Sequence, residues 1–248
     1  MTRIEVTAEL TLDDPVLVEG FPGAGLVGKI AADHLVSAFG MTHYANVYCD
    51  SLPLAAAYAD DDRTLRTPVR LYADADRDLV VLQSDVPVAP EAASEFAECS
   101  AEWVREESVT PLYLAGLKRE GPADEAAGRE VRGVATGDRG AVLDAAGIDP
   151  PEGAGLVSGP TGALLNHALD TGLDAVGLVV DCDPQFPDPS AAKAVLEDGV
   201  APVAGVDVPT AELDESASGI QRAKEQLAEQ IRRQEEKSSK AQPVRMYQ

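Results

Sequence analysis

A short apolar segment runs directly into a glycine-rich turn and then into a helix, and this order limits the folds that the chain is able to adopt. The near-continuous apolar run Pro15-Val16-Leu17-Val18 is typical of a strand buried on both faces, and we place this strand at residues 15–19. An apolar stripe predicts a helix over residues 25–39. Between them lies the turn Gly20-Phe21-Pro22-Gly23-Ala24-Gly25-Leu26-Val27-Gly28. A strand joined to a helix in this way is typical of a layered α/β sheet.

Further segments continue the alternation of strands and helices. We expect the other strands at residues 3–12, 43–49, 68–73, 78–84, 110–115 and 175–181, and the other helices at residues 90–107, 159–172 and 189–198. The glycine- and aspartate-rich residues 116–155 hold short elements that the pattern does not assign. The sequence therefore predicts one layered α/β domain, with a central sheet flanked by helices, over residues 1–211.

The chain is strongly acidic, with 20 basic and 43 acidic residues among 248 and a formal net charge of -23. This balance argues against a nucleic-acid partner, because little positive charge is available to neutralise phosphates. An acid excess of this kind resembles adaptation to high salt, where charge is screened and carboxylates keep a protein hydrated. It therefore indicates no acidic binding patch by itself.

Cysteine, histidine and hydropathy patterns argue against several other classes of protein. The three cysteines and three histidines are widely spaced, at Cys49, Cys99, Cys182, His34, His43 and His167. This spacing argues against a disulfide framework or a zinc site, and we expect packing or solvent roles for the histidines. Because the amino end lacks an apolar signal core and no apolar run approaches the ~18 residues of a membrane span, we expect a soluble cytoplasmic protein.

The glycine-rich turn admits two interpretations. Gly23, Gly25 and Gly28 match the GxGxxG pattern of dinucleotide-binding turns, and Asp50 follows 22 residues after the last glycine. Against nucleotide binding, Phe21-Pro22 lengthens the turn, and no basic residue near it is an obvious partner for a phosphate. The alternative is that the glycines permit a tight turn and close packing of the helix on the sheet. We favour this alternative and expect no cofactor and no metal.

Beyond residue 211 the sequence changes to an amphipathic helix followed by a basic connector. Apolar residues recur at helical spacing over residues 212–240, namely Leu213, Ala217, Ile220, Ala223, Leu227 and Ile231. This stripe either packs back on its own domain or pairs with another subunit. Residues 232–245 carry a net charge of +3, and we expect residues 241–248 to form a flexible tail.

The last three residues, Met246, Tyr247 and Gln248, combine an apolar side chain, a phenol ring and a terminal carboxylate. Such an end is able to enter a pocket that holds a cation for the carboxylate. A frayed terminus is the alternative, since chain ends are often poorly ordered. The basic connector favours partner binding, because local electrostatic attraction raises the rate of encounter.

Three motifs resemble, in order and spacing, those of the proteasome assembly chaperone family, and the resemblance spans residues 10–200. They are the glycine-rich turn, Gly159-Pro160-Thr161-Gly162 and Phe186-Pro187-Asp188-Pro189-Ser190-Ala191-Ala192. This resemblance, to archaeal-type members, implies a single phosphorylase-like α/β domain, homo-oligomers and no established catalysis. Members of the family can dock on the proteasome core particle through a terminal hydrophobic-Tyr-any residue motif. Met246, Tyr247 and Gln248 match that motif one by one.

These observations predict a non-catalytic protein that acts as a proteasome assembly chaperone or as an ATP-independent activator of the core particle. The resemblance implies that the tail docks between adjacent α subunits of the proteasome ring. One alternative is a nucleotide- or nucleoside-acting enzyme that uses the glycine-rich turn and the strand-end carboxylates Asp85, Asp181 and Asp183. Another is a scaffold that self-assembles through the helix at 212–240.

Overall fold

The computed structural model describes residues 3–58, 60, 62–118 and 129–223. In these residues the strands form one eight-stranded sheet. The strands are β1 (Arg3–Val6), β2 (Val16–Gly20), β3 (Thr42–Tyr48), β4 (Val69–Asp74), β5 (Leu79–Ser84), β6 (Thr110–Lys118), β7 (Val131–Ala135) and β8 (Val176–Cys182). Their order across the sheet is β1-β3-β4-β5-β2-β6-β8-β7. The central strands β5, β2, β6 and β8 are parallel, and the other neighbouring pairs are antiparallel.

Helices cover both faces of the sheet. They are α1 (Val27–Ala38), α2 (Pro90–Glu106), α3 (Gly140–Ala146), α4 (Gly159–Thr171), α5 (Pro189–Val195), α6 (Ala201–Ala204) and α7 (residues 211–223). α1 packs beside α5, and α2 packs beside α4. None of the described helices is long and apolar enough to cross a membrane. The prediction of a single α/β domain with a central sheet flanked by helices is confirmed.

Successive side chains of β2 point to opposite faces of the sheet, and each face is covered by a hydrophobic layer. Leu17 joins the layer that contains Phe96 of α2 and Leu164 of α4. Its neighbour Val18 joins the opposite layer, which contains Leu35 of α1. Because both faces are covered, Val16, Leu17 and Val18 are all apolar, and this part of the strand appears in the sequence as a continuous apolar run.

Two parts of the sheet differ from the expectation based on sequence. The first strand ends at Val6 and not at residue 12. Val6 lies opposite Ala45, beside the point between His43 and Ala45 where the pairing of β3 with β4 shifts its register. Residues 116–155, which the pattern leaves unassigned, contain the antiparallel edge strand β7 and the helix α3.

The helix α7 begins by packing on its own domain. Leu213 is buried and belongs to the same hydrophobic layer as α1 and α5. The next members of its apolar stripe, Ala217 and Ile220, are only partly buried. Packing on the same domain, one of the two expected alternatives, therefore describes the first turn of this helix. Leu227 and Ile231 lie outside the described residues.

Candidate functional site

The glycine-rich turn lies at the carboxyl end of β2, in the centre of the sheet. A single 3₁₀ turn, Ala24–Leu26, precedes α1, and Gly25 within it has a φ of 62°, a left-handed conformation that glycine adopts readily. A Cβ atom on Gly25 would also lie 3.0 Å from the Sγ of Cys182 at the end of β8. The shape of the turn therefore follows from its close contact with this strand.

Two further glycines of this motif allow α1 to approach β2 closely. A Cβ atom on Gly20 would lie 2.3 Å from the Cβ of Ala32, and one on Gly28 would lie 3.3 Å from two backbone carbonyl oxygens. The Phe21 side chain is buried, and its ring meets that of Phe96 edge-on at 5.8 Å. These contacts match the interpretation in which the glycines serve a tight turn and close helix–sheet packing.

One acidic side chain, Glu19, is fully buried at this end of β2 and joins two of the three motifs. Its Oε1 accepts a hydrogen bond from the N–H of Phe21 at 2.7 Å. Its Oε2 accepts from the N–H of Leu114 in β6 at 3.3 Å and from the hydroxyl of Thr161 in α4 at 3.1 Å. Glu19 therefore connects the glycine-rich turn to the second motif through contacts inside the domain.

Burial changes the protonation of this carboxyl group. Desolvation raises the pKa of Glu19 to about 7, although its three hydrogen bonds act in the opposite direction because they favour the charged form. The Tyr113 hydroxyl is also buried, and desolvation together with the Glu19 charge raises its pKa. A raised carboxyl pKa also occurs in catalytic acids. Here the carboxyl group has no exposed surface and bonds to the protein's own donors, which makes it a structural connection.

The second motif opens the helix α4. Gly159 has a φ of 72°, and Pro160 occupies the first turn, where a missing N–H loses no helical hydrogen bond. A Cβ atom on Gly162 would lie 2.5 Å from a carbonyl oxygen of the preceding loop. This tight start to the helix places Thr161 where its hydroxyl reaches the buried carboxylate of Glu19.

The third motif is organised by Asp188, which is buried at the start of α5. Its Oδ1 accepts from the N–H of Ala191 at 3.1 Å, which caps the helix, and its Oδ2 accepts from the N–H of Asp183 at 2.9 Å. Arg129 forms an ion pair with Oδ2 at 2.8 Å, and the N–H of Asp188 donates to the carbonyl of Gly25 at 2.8 Å. The three motifs are therefore one connected set, which we call the motif cluster.

The carboxylates of the enzyme alternative do not form a common site. Asp85 follows β5, whereas Asp181 and Asp183 lie at the end of β8, and β2 and β6 separate these strands by roughly 14 Å in total. Asp85 is instead paired with Arg70 at 2.5 Å and with Lys29 at 3.6 Å. The expectation of no basic residue near the glycine-rich turn is therefore wrong, because Lys29 lies directly after it, but its charge pairs with carboxylates of the same domain. Within the described part of the chain, no group of three His, Cys, Asp or Glu side chains is placed to hold a metal ion.

The start of the C-terminal helix α7 lies beside α5, where a charged pair and a buried side chain hold it. The Nζ of Lys193 in α5 donates to both carboxylate oxygens of Asp214 in α7, at 2.8 Å each. Leu213, the preceding residue, is 4% exposed. We call the start of α7 and its contacts with the domain the arm base.

Two polar contacts immediately before α7 complete the arm base. The hydroxyl of Thr210 donates to Glu197 in the π-helical turn Leu196–Val200 that follows α5. The Nε2 of His34 in α1 lies 2.6 Å from the carbonyl oxygen of Pro209, so this nitrogen carries the proton. The chain therefore leaves the domain at a point fixed by α1 and by the segment that follows α5.

The predicted docking residues Met246, Tyr247 and Gln248 lie outside the described residues, and their role stays a prediction. Sequence reasoning identified the motif loops but missed Glu19, the residue that connects two of them. The sequence feature that could have revealed Glu19 is a single acidic residue between an apolar run and a glycine. A charged side chain in such a buried strand needs internal hydrogen-bond partners.

The fold and the motif cluster define an α/β protein in which three sequence motifs meet near the carboxyl ends of the central parallel strands. A model of the PAC2 family matches residues 17–228. This chain belongs to the PAC2 family. The match includes all three motifs, so the resemblance to the proteasome assembly chaperone family is confirmed at the level of the family.

Several relatives and solved structures are similar over nearly their whole length. Two uncharacterized proteins of Methanocaldococcus jannaschii are 26% and 28% identical over 96% and 93% of this chain, and 95% and 88% of their own. Pyrococcus furiosus PbaA, described as an archaeal homolog of proteasome-assembly chaperone, has a TM-score of 0.78 at 23% identity, covering 96% of this chain and 97% of its own. Pyrococcus furiosus PbaB, described as an archaeal proteasome activator, has a TM-score of 0.75 at 22% identity, covering 92% and 98%.

Proposed function

We propose that this protein is a non-catalytic partner of the proteasome core particle that docks through its C-terminal tripeptide, as an assembly chaperone or as an ATP-independent activator. Membership of the PAC2 family over residues 17–228 carries this proposal. The similarity to PbaA and PbaB, whose descriptions name proteasome assembly and proteasome activation, supports it. The tail Met246, Tyr247 and Gln248 supplies a docking element of matching chemistry.

Each residue of the tail has a separate role in this proposal. The thioether side chain of Met246 fills an apolar recess, to which its flexibility lets it adapt. The ring of Tyr247 packs against the wall of a groove between adjacent α subunits, and its hydroxyl finds a hydrogen-bond partner there. The terminal carboxylate of Gln248 pairs with a cation in the groove. The Gln248 side chain itself contributes little, so the end of the main chain matters more than the identity of the last residue.

The arm base suits the delivery of such a tail. Lys193, Asp214 and the buried Leu213 hold the first turn of α7 on the domain, so each arm starts from a defined point. One tail contributes a modest free energy of binding. Several tails presented by one homo-oligomer bind more tightly, because the first contact raises the effective concentration of the others.

The proposal is tested by measuring binding of the full-length protein to an isolated, latent core particle. We expect Tyr247→Ala to weaken binding about tenfold or more, because truncation of a central aromatic anchor commonly costs that much. Deletion of residues 246–248 should abolish binding while the mass of the homo-oligomer stays unchanged. Unchanged binding after this deletion would contradict the proposal.

A matched control lies within the same tripeptide. Gln248→Ala keeps the length of the chain, the tyrosine and the terminal carboxylate, so binding should stay close to that of the wild type. Peptide hydrolysis by the latent core particle then separates the two forms of the proposal. An activator raises the rate of hydrolysis because it prefers the open gate, whereas an assembly chaperone binds without that effect.

A further inference from the structure

A group of polar side chains lies on the face of the sheet that also carries α1. Tyr72 of β4 belongs to the hydrophobic layer of α1, and Arg70 lies two positions before it, so both side chains point to this face. In the neighbouring strands, His43 of β3 lies opposite Tyr72, and Gln83 of β5 lies opposite Arg70. Side chains directly opposite one another in antiparallel strands share a face, so these four residues form one surface. Together with Arg66, which reaches Tyr72 from the connection between β3 and β4, we call them the polar floor.

The hydroxyl of Tyr72 is the centre of the polar floor. Its oxygen accepts hydrogen bonds from Nη1 of Arg66 at 3.3 Å and from Nε of Arg70 at 3.0 Å. Because a hydroxyl has two lone pairs and one hydrogen, these two bonds leave its hydrogen to be donated. The ring of His43 lies beside the same phenol, with the ring centroids 5.6 Å apart. The Tyr72 hydroxyl is therefore a donor that two guanidinium groups hold in place.

Three polar atoms of the polar floor have no hydrogen-bond partner in the protein. They are Nε2 of His43, Nε of Arg66 and Oε1 of Gln83, and all three are buried. The described residues contain only three other buried side-chain atoms of this kind, and those lie on other parts of the fold. A buried polar atom without a partner costs free energy, so native proteins leave few of them. Three such atoms on one surface therefore indicate a place where a further polar molecule binds.

The polar floor is partly open to solvent. Its two deepest side chains, Arg70 and Tyr72, are each 7% exposed, whereas the other three are half-buried. The helix α1 bounds it on one side, where Asp33 accepts a hydrogen bond from Nε2 of Gln83 at 2.8 Å. The connection between β3 and β4 bounds it on the other side, through Arg66. A small molecule is therefore able to reach a buried guanidinium and a buried phenol between these two elements.

The local charge decides which class of molecule suits the polar floor. Arg66 is paired with Asp62 at 2.5 Å. Arg70 is paired with Asp85 at the same distance, so these two cations and two carboxylates sum to zero. Burial and the positive charges of Arg66 and Arg70 lower the pKa of His43, so its ring is neutral at about pH 7. One proton taken up by His43 balances one negative charge, whereas a dianion leaves a charge unbalanced.

We propose that the polar floor binds a small molecule through a single carboxylate group. The carboxylate oxygens accept hydrogen bonds from the hydroxyl of Tyr72, from Nε of Arg66 and from Nε2 of His43. The Oε1 of Gln83 is an acceptor and suits a hydroxyl on the rest of the molecule. This site lies beyond the proposed function, because neither the tail nor the core particle takes part in it.

The test follows the histidine signals of the untagged full-length protein by NMR while sodium acetate is added. The chain contains three histidines, His34, His43 and His167, so the other two signals are internal controls. We expect the His43 signal to move and to saturate, and the pKa of His43 to rise, because a bound carboxylate favours the protonated ring. Sodium chloride at the same ionic strength should not reproduce this shift. A His43 signal that stays in place, or that moves equally with chloride, overturns the inference.

Two substitutions remove donors of the polar floor. Tyr72→Phe keeps the ring but removes the hydroxyl, and Arg66→Met keeps most of the side-chain length but removes Nε. Each should raise the dissociation constant for acetate about tenfold, because a hydrogen bond to a charged group is lost. Arg77→Met is the matched control, because Arg77 is 41% exposed and lies in the turn at the other end of the β4–β5 hairpin. It should bind acetate as the wild type does. Wild-type affinity in Tyr72→Phe or in Arg66→Met overturns the inference.

Inorganic phosphate tests the assignment to a single charge. As a dianion at alkaline pH it should bind more weakly than acetate at the same pH, because the polar floor balances only one negative charge. Tighter binding of phosphate than of acetate would overturn the assignment to a carboxylate. These measurements contain no core particle, so their failure and a failure of the tail to dock are separate results.

Discussion

The motif cluster and the arm base are both places where distant parts of the chain meet, but they differ in burial. In the cluster, Glu19 and Asp188 are buried, and their carboxylates bond to donors from several elements. At the arm base, the side chains of Lys193 and Asp214 are 28% and 61% exposed. Removal of one partner of a buried charge is strongly destabilising, whereas an exposed ion pair contributes about 0–1 kcal/mol. The motif cluster therefore contributes to the stability of the fold, whereas the arm base mainly sets the position of the peripheral helix α7.

This difference separates the parts of the chain that are easy to recognise from the parts proposed to act. The glycine-rich turn resembles a nucleotide-binding turn, yet its glycines pack against the neighbouring elements of the same domain. The arm base lies at the periphery of the domain, and the tail is the end of the chain. In this protein the most recognisable motifs build the scaffold, and we propose that partners bind elsewhere.

We expect the protonation of Glu19 to change the free energy of unfolding more than any other difference between the two regions. Its pKa is about 7 in the folded protein against 4.5 for an ordinary glutamate, so the folded state holds this proton more tightly than the unfolded state. The contribution of Glu19 to the free energy of unfolding is therefore greatest below pH 4.5, falls as the pH rises, and is constant above about pH 7. At about 1.36 kcal/mol per pH unit, the change is about 3 kcal/mol.

Chemical denaturation of the wild type and of Glu19→Gln across this pH range measures the effect. The variant has no titrating group at this position, so the stability of the wild type relative to it should decline with rising pH. Glu130→Gln is the control, because it makes the same change at a side chain that is 72% exposed. Parallel curves for the wild type and Glu19→Gln would remove the proposed distinction between the two regions.

A smaller effect is expected from the packing inside the motif cluster. A Cβ atom on Gly116 in β6 would lie 2.4 Å from the carbonyl oxygen of Ala24 and 2.7 Å from the Sγ of Cys182. We expect Gly116→Ala to destabilise the protein by about 2 kcal/mol, because a tightly packed interior tolerates added atoms poorly. Gly153→Ala has no atom within 4 Å of the new Cβ and should change the free energy of unfolding little. Similar values for both variants would show that the cluster is not tightly packed.

The smallest effect on stability is expected at the arm base. Lys193→Met keeps most of the side-chain length but removes the charge that pairs with Asp214. The free energy of unfolding should fall by less than about 1 kcal/mol, while hydrogen exchange of the amides in residues 211–223 becomes faster. Arg132→Met, which removes the three ion pairs that this residue of β7 forms with Glu130, Asp149 and Glu152, should leave exchange in α7 unchanged. Unchanged exchange in Lys193→Met would show that Leu213 holds the arm base without the charged pair.

Local patterns explain the parts of the fold that the sequence predicted well. The strand β2, its glycine-rich turn and α1 follow one another directly, and each is marked by residues within a few positions of itself. The helix α2 begins at Pro90, as expected from the fixed backbone angle of proline. Predicting these elements does not require knowing which distant segment packs on them.

The parts that were missed depend on distant segments. Leu114 and Thr161 lie 95 and 142 positions from Glu19, so no pattern near Glu19 reveals its partners. Among the described strands, β7 pairs with β8 alone and lies at the edge of the sheet, and its residues carry a weak pattern of their own. The strand β1 ends beside an irregularity in the pairing of β3 with β4, which its own sequence does not show.

The burial of Phe21 has a consequence for how this fold is able to change over evolutionary time. In many open α/β sheets, the space beyond the carboxyl ends of the central strands receives a small ligand. Here a phenyl ring at that position packs on Phe96 inside the domain. A descendant that acquired a ligand at this position would first have to lose the ring, at a stability cost of about 3–5 kcal/mol. New activities are therefore easier to gain at the loops and the chain ends, which can vary without that loss.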